Sequence, residues 1–188
     1  MPMTVQSGGT NTDKQLVTKK GAAVVSAASR SALADAARDP GGAFIWQSLT
    51  YDSDGGDTIL LVQNTNAEAD LVIDAISFGA NVASVWHVQL PLAKVTVAGT
   101  TVVGVDLGGG TTEPAATAAT DETGNTTGTI IYSTYVLANV HRTVGAELFG
   151  GALRIPANRS VGVDIVAAAT AAYCTIIGHF EKADRVET

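Results

Sequence analysis

Cysteine is nearly absent from this sequence: with one among 188 residues, no disulfide can close within the chain, and packing and hydrogen bonds must hold the fold. That residue, Cys174, lies in the run Tyr173-Cys174-Thr175-Ile176-Ile177, an apolar alternation in which a buried, inert thiol is expected. Aromatic residues are also scarce, at two Trp, four Tyr and four Phe, and the 46% apolar fraction is made mostly of Ala and Val beside abundant Thr and Gly. Small and β-branched side chains favour sheets over helical bundles. No apolar run approaches the ~20 residues that would span a bilayer as a helix. Lys19-Lys20 before Gly21-Ala22-Ala23-Val24-Val25 has a faint signal-peptide character, but Ser26, Ser29 and Arg30 interrupt the apolar stretch. The expectation is a protein made and retained in a cytoplasm, without membrane partners.

Charge is sparse and uneven. The net charge of −7 gives a long-range field that repels phosphate backbones, so nucleic acid is not an expected partner. Residues 1–42 carry five Lys or Arg against three Asp or Glu, whereas residues 43–188 carry six against fifteen. A mildly basic arm precedes an acidic body.

Within the arm, residues 1–21 are Gly, Thr, Asn, Ser and Lys without sustained period, too little apolar surface to offset the entropy of ordering. Residues 22–38 are Ala-rich and read either as a short helix stopped by Pro40-Gly41-Gly42 or as an extended clamp. From Ala43 the texture changes to short β-branched and aromatic runs separated by Gly, Asn, Asp and Pro. Strands are expected at 43–51, 57–64, 70–78, 82–90, 93–98, 101–106, 129–137, 142–149, 152–155, 160–168 and 172–181. Alternation such as Val161-Gly162-Val163-Asp164-Ile165 buries one face, the pattern of antiparallel sheets packed face to face. Turns are expected at Asp54-Gly55-Gly56, Ala98-Gly99 and Pro156-Ala157-Asn158, and a long loop over 107–128. The domain reading is an arm at 1–42, an all-β antiparallel sandwich at 43–183, and a tail at 184–188.

Several motifs could carry chemistry, and context argues against each. Gly104-Val105-Asp106-Leu107-Gly108-Gly109-Gly110-Thr111-Thr112 resembles the first phosphate loop of sugar kinases, but too little chain follows it to build the second loop and an adenosine site. Asp52, Asp54 and Asp57 share one turn, where oxygens could gather round a hard cation. The twelfth position from Asp52 is Gln63 rather than the Glu of an EF-hand, and no metal is assigned. His87, His141 and His179 lack paired spacing for zinc. There is no G-x-S-x-G, and Asp121-Glu122-Thr123-Gly124-Asn125 reads as a solvated loop tip. No catalytic residue, cofactor or enzyme activity is expected.

In layout the chain resembles the jelly-roll decoration, or cement, proteins of tailed-bacteriophage heads. A pliable arm precedes a β body opening with Ala43-Phe44-Ile45-Trp46-Gln47 and Leu61-Val62-Gln63-Asn64-Thr65. The body continues through Val95-Thr96-Val97-Ala98-Gly99-Thr100-Thr101-Val102-Val103 and closes with Cys174-Thr175-Ile176-Ile177-Gly178-His179-Phe180-Glu181. The resemblance implies a jelly-roll sandwich and a structural virion protein on the outer capsid surface, bound to the major capsid protein and to itself, as a trimer rather than a dimer. The arm would clamp the lattice or a neighbouring subunit, with Lys14, Lys19, Lys20, Arg30 and Arg38 as charge partners. The competing reading is a carbohydrate- or receptor-binding module of a phage fibre or spike, using the 107–128 loop and Trp46, Tyr51 or Trp86 as a sugar platform. A third, a cupin-type metal enzyme, needs clustered histidines that the sequence does not show.

Overall fold

The computed structural model describes residues 16–17, 23–24, 31–90, 99–120, 128–145 and 153–182. The chain divides into two compact units, residues 1–31 and 32–188. In the first, β1 (Leu16–Val17) pairs antiparallel with β2 (Ala23–Val24).

The second unit opens with a single turn of helix, α1 (Ala32–Ala36), ended by the turn at Pro40-Gly41-Gly42, where Gly41 takes φ +85°. The Phe180 N–H donates to the Gly42 carbonyl, and the Gly41 N–H donates to Asp106. These bonds explain why the compact unit begins at Ala32, ahead of the boundary expected from the change in texture at Ala43.

The remaining elements are strands: β3 (Ala43–Gln47), β4 (Tyr51–Ser53), β5 (Thr58–Asn64), β6 (Ala69–Ala80), β7 (Ser84–Leu90), β8 (Thr100–Val102), β9 (Val105–Asp106), β10 (Ala116–Thr120), β11 (Thr129–Val136), β12 (His141–Gly145), β13 (Leu153–Ile155), β14 (Ser160–Ile165) and β15 (Ala169–Lys182). They form two antiparallel sheets. One runs β11-β7-β14-β5-β10-β8 and the other β12-β6-β15-β3-β9, with β13 also on β6 and β4 also on β15. In chain order the pairing is nested: β3 with β15, β5 with β14, β6 with β12 and β13, β7 with β11. This first-with-last pairing nests the strands within two sheets that pack face to face, an antiparallel β-sandwich.

Alternation explains the core. Phe44 and Trp46, Leu60 and Val62, Trp86 and Val88, Val161 and Val163, and Cys174 and Ile176 all point between the sheets, and Phe78 stacks on Trp86 at 4.9 Å. β5 and β14 are buried at every residue, so this central pair is covered on its outer face as well.

Four expected elements differ. The 43–51 strand breaks into β3 and β4 at Leu49, a non-glycine residue at φ 58°. The 101–106 strand is two short strands, β8 in one sheet and β9 in the other; the chain crosses at Gly104, where a Cβ would lie 2.5 Å from the Trp46 Nε1. The 107–128 loop contains β10, which runs Ala116–Thr120 between β5 and β8. The helix expected within 22–38 is described only at Ala32–Ala36, with β2 at Ala23–Val24. The strand expected at 93–98 lies outside the described residues.

Candidate functional site

The two longest strands, β6 and β15, stay in register until Ala75, where a bulge leaves Asp74 unpaired between Ala75 opposite Ile177 and Ile73 opposite Gly178. The bulge brings Asp74 against His179. His179 and Glu181 are two apart on β15 and therefore share its outward face. The Asp74 carboxylate lies 2.7 Å from the His179 Nδ1 and the Glu181 carboxylate 3.0 Å from its Nε2. Arg154 of β13 closes the chain of charges by donating to Glu181. The imidazole is almost fully buried.

Burial alone would lower the pKa of His179, but the two carboxylates outweigh it and hold the ring above its ordinary value. Glu181 is held below its ordinary value, first by the bond with His179 and then by Arg154. The signs follow. A raised histidine stabilises the fold fully below its unfolded value of 6.5 and loses that contribution as pH rises through the folded value. A depressed glutamate contributes above 4.5 and loses its share as pH falls through its folded value. The stability difference between the parent chain and H179Q is therefore expected to be largest between pH 4.5 and 6.5 and to shrink towards alkaline pH. Thermal midpoints of both across that range check it; a difference that stays constant up to alkaline pH would refute it.

A second polar cluster sits on the opposite sheet, facing away from the core. Asp164 accepts from Thr58 at 3.0 Å and from Gln89. Burial lifts its carboxyl above the ordinary range, against the pull of those two bonds and of nearby His87.

The glycine-rich segment that resembles a phosphate loop is folded round its own anion. Asp106 Oδ1 accepts the Gly108 N–H and Oδ2 the Gly41 N–H, both at 2.8 Å. A Cβ at Gly110 would fall 2.5 Å from Oδ2. The backbone donors that would have to cradle a phosphate face a carboxylate instead.

The other expectations resolve as follows. Asp52, Asp54 and Asp57 lie in a tight turn in which the Asp57 N–H donates to the Asp54 carbonyl and Gly56 takes φ +91°. Among the described residues, no three of His, Cys, Asp and Glu come together in a set able to hold a metal ion. The histidines are dispersed: His87 beside Asp164, His179 between carboxylates, and His141 stacked on Tyr173 at 5.6 Å. Cys174 is buried, which pushes its thiol pKa up. Trp46 and Trp86 are not a sugar platform, because both are fully buried between the sheets; alternation places them with Phe44 and Val88. Nothing is described of the Tyr51 side chain. Of the arm cations, Arg38 is exposed just after α1, while Lys14, Lys19, Lys20 and Arg30 lie outside the described residues, as does the 121–125 acidic stretch. No described helix is long and apolar enough to cross a membrane.

Two apolar margins escape the sequence reading. On one side, an open groove of about 330 Å³ lies between β3, β8 and β9, lined in part by Leu49, Val103 and Val105. On the other, Ile130, Ile131, Tyr135, Leu137 and Val140 are exposed along β11 and its turn into β12. A signal was available in the adjacent apolar pairs Val102-Val103 and Ile130-Ile131, since a strand cannot send both members inward.

Compared with protein-family models, curated proteins and solved structures, the chain matches none.

Proposed function

We propose that this chain is a structural, non-enzymatic virion protein that binds the outer surface of a tailed-phage head and stabilises it. Residues 1–31 supply the attachment arm and the sandwich forms the rigid, self-associating part. One observation carries the reading: among the described residues, the buried ionisable groups Asp106, Asp164 and His179 are each already held by neighbours within the chain. Asp106 is taken by glycine amides, Asp164 by Thr58 and Gln89, and His179 by Asp74 and Glu181. What is left to meet other molecules is apolar margin and a basic arm, the chemistry of adhesion between surfaces. An acidic capsid surface fits such an arm, and charges at an interface rim act mainly on association rate and its salt dependence.

The test is charge reversal in the full-length chain, K14E/K19E/K20E/R30E. Co-sedimentation with purified capsids is expected to weaken by about tenfold or more, and the parent's binding to fall steeply as salt is raised. Undiminished capsid binding by the reversed variant would end the assignment of the arm.

A further inference from the structure

Both nitrogens of the His179 ring face carboxylates, Asp74 at 2.7 Å from Nδ1 and Glu181 at 3.0 Å from Nε2, and the side chain is only 3% exposed. An ionised carboxylate can only accept, so a ring that serves both must carry a proton on each nitrogen. A neutral ring has one N–H and one lone pair, and the lone pair would face an anion. The arrangement is complete in one protonation state and broken in the other.

We infer that this cluster is a pH-sensitive clasp: while charged, His179 ties β15 to the bulge of β6 through both carboxylates, and on losing its proton it drops Glu181 and loosens the start of the compact unit. Glu181 is the partner released because Arg154 already donates to it, whereas among the described residues Asp74 has no charge partner but the ring. Asp74 is also fixed by the bulge and makes the shorter bond. The output follows from the neighbours of the ring along the chain. His179 lies opposite Ala43, and the Phe180 N–H, between His179 and Glu181, donates to the Gly42 carbonyl. These rungs hold the turn after α1 on the last strand of the fold. With Glu181 released, the end of β15 is free to open locally as far as the Phe180 bond.

The other charges on the surrounding elements do not replace the ring. Asp70 of β6 lies 4.0 Å from Arg154 of β13, Lys182 ends β15 in solvent, and Asp35, Arg38 and Asp39 on and after α1 are exposed, where water and salt screen them. β3 places only Ala43 opposite the ring. Asp74 and Glu181 therefore hold the proton, and their pull outweighs the burial that opposes it. The clasp is shut below the ordinary histidine value of 6.5 and opens as pH rises through the folded value. That the loosened segment is the root of an attachment arm rests on the proposed function; the clasp itself does not.

The experiment follows the full-length chain by NMR from about pH 5 to about pH 9, the range in which a histidine changes charge. Nitrogen shifts of the imidazole read the proton on each ring atom. Hydrogen exchange of the Phe180 amide, corrected for its intrinsic rate and referred to the amides of the buried strands β5 and β14, reads the output. Both ring nitrogens are expected to be protonated at the acid end, with Nε2 losing its proton first. Over the same range the relative protection of Phe180 should fall by about threefold or more, the worth of one hydrogen bond. In Glu181→Gln the side-chain amide can accept from Nε2–H or donate to its lone pair, so Phe180 should keep its protection throughout. Should that variant fail to fold by circular dichroism, H179Q, which cannot take a charge, is expected to give the same flat profile. A ring already neutral at the acid end, a flat Phe180 profile in the parent, or a fall in the variant equal to the parent's each overturns the clasp. Capsid binding is not read, so this result and that of the arm can fail separately.

Discussion

Trp86→Ala is expected to lower the stability of the sandwich by about 3–5 kcal/mol, the cost of emptying a large aromatic site between rigid sheets. The side chain is fully buried, stacked 4.9 Å from Phe78 with an interplanar angle of 24°, so its removal opens a cavity that β6 and β7 cannot close while their ladders hold. For a domain of this size the thermal midpoint should fall by about 10 °C, and the urea midpoint should fall without a change in slope. Trp86→Phe is expected to cost less than half as much. It keeps most of the contact with Phe78 and deletes an indole N–H that is buried without a hydrogen-bond partner, a group already penalised in the native state. The series separates a core residue from a ligand platform. An exposed tryptophan reserved for sugar would change stability by within about 0.5 kcal/mol on truncation, and that result would place Trp86 outside the core.

What was legible in the sequence tracks how local each determinant is. The strands that became β5, β7, β11 and β14 were readable because β-branched and aromatic residues recur between turn residues, a signal contained in a few positions. The turn at Pro156-Ala157-Asn158 was readable for the same reason, with Asn158 taking φ 61°. β10 was not, because Ala116-Thr117-Ala118-Ala119-Thr120 has small side chains; it is a strand because β5 and β8 offer it ladders on both sides. The parity of the tryptophans could have been read: Phe44 and Trp46 share a strand face, as do Trp86 and Val88, and residues two apart in a strand are buried together. The His179 cluster was half visible. His179 and Glu181 have the i, i+2 spacing of one strand face, but Asp74 arrives from more than 100 residues away through a bulge that no local pattern announces. The exposed margins were the least legible, since an apolar residue in a strand gives no sign of whether the sheet continues beyond it.

Asp106→Ala is the second change expected to have a large effect, about 2–4 kcal/mol, although it removes only a carboxylate from the end of the two-residue strand β9. Asp106 is 7% exposed, and each of its oxygens holds a backbone N–H, Gly108 through Oδ1 and Gly41 through Oδ2. Taking the acceptor away leaves two amides short of a partner in a partly buried place, and the cost of stranding a buried donor exceeds the net worth of the bond it made. The effect also reaches the start of the compact unit: Gly41 adjoins Gly42, whose carbonyl holds the Phe180 N–H, so the carboxylate secures the turn after α1 to β9 and, through that turn, to β15. Amide hydrogen exchange should therefore show Gly41, Gly108 and Phe180 losing protection together in Asp106→Ala, with Asp106→Asn intermediate because one carbonyl oxygen survives. Loss of protection confined to Gly108 would mean that the loop and the turn are independent. The same geometry makes a functional prediction for the motif that resembles a phosphate loop. An incoming phosphate would have to displace a covalently tethered anion from its own glycine donors, so magnesium with a nucleoside triphosphate is expected to leave the thermal midpoint of the parent unchanged, since only a ligand that binds the native state shifts that equilibrium.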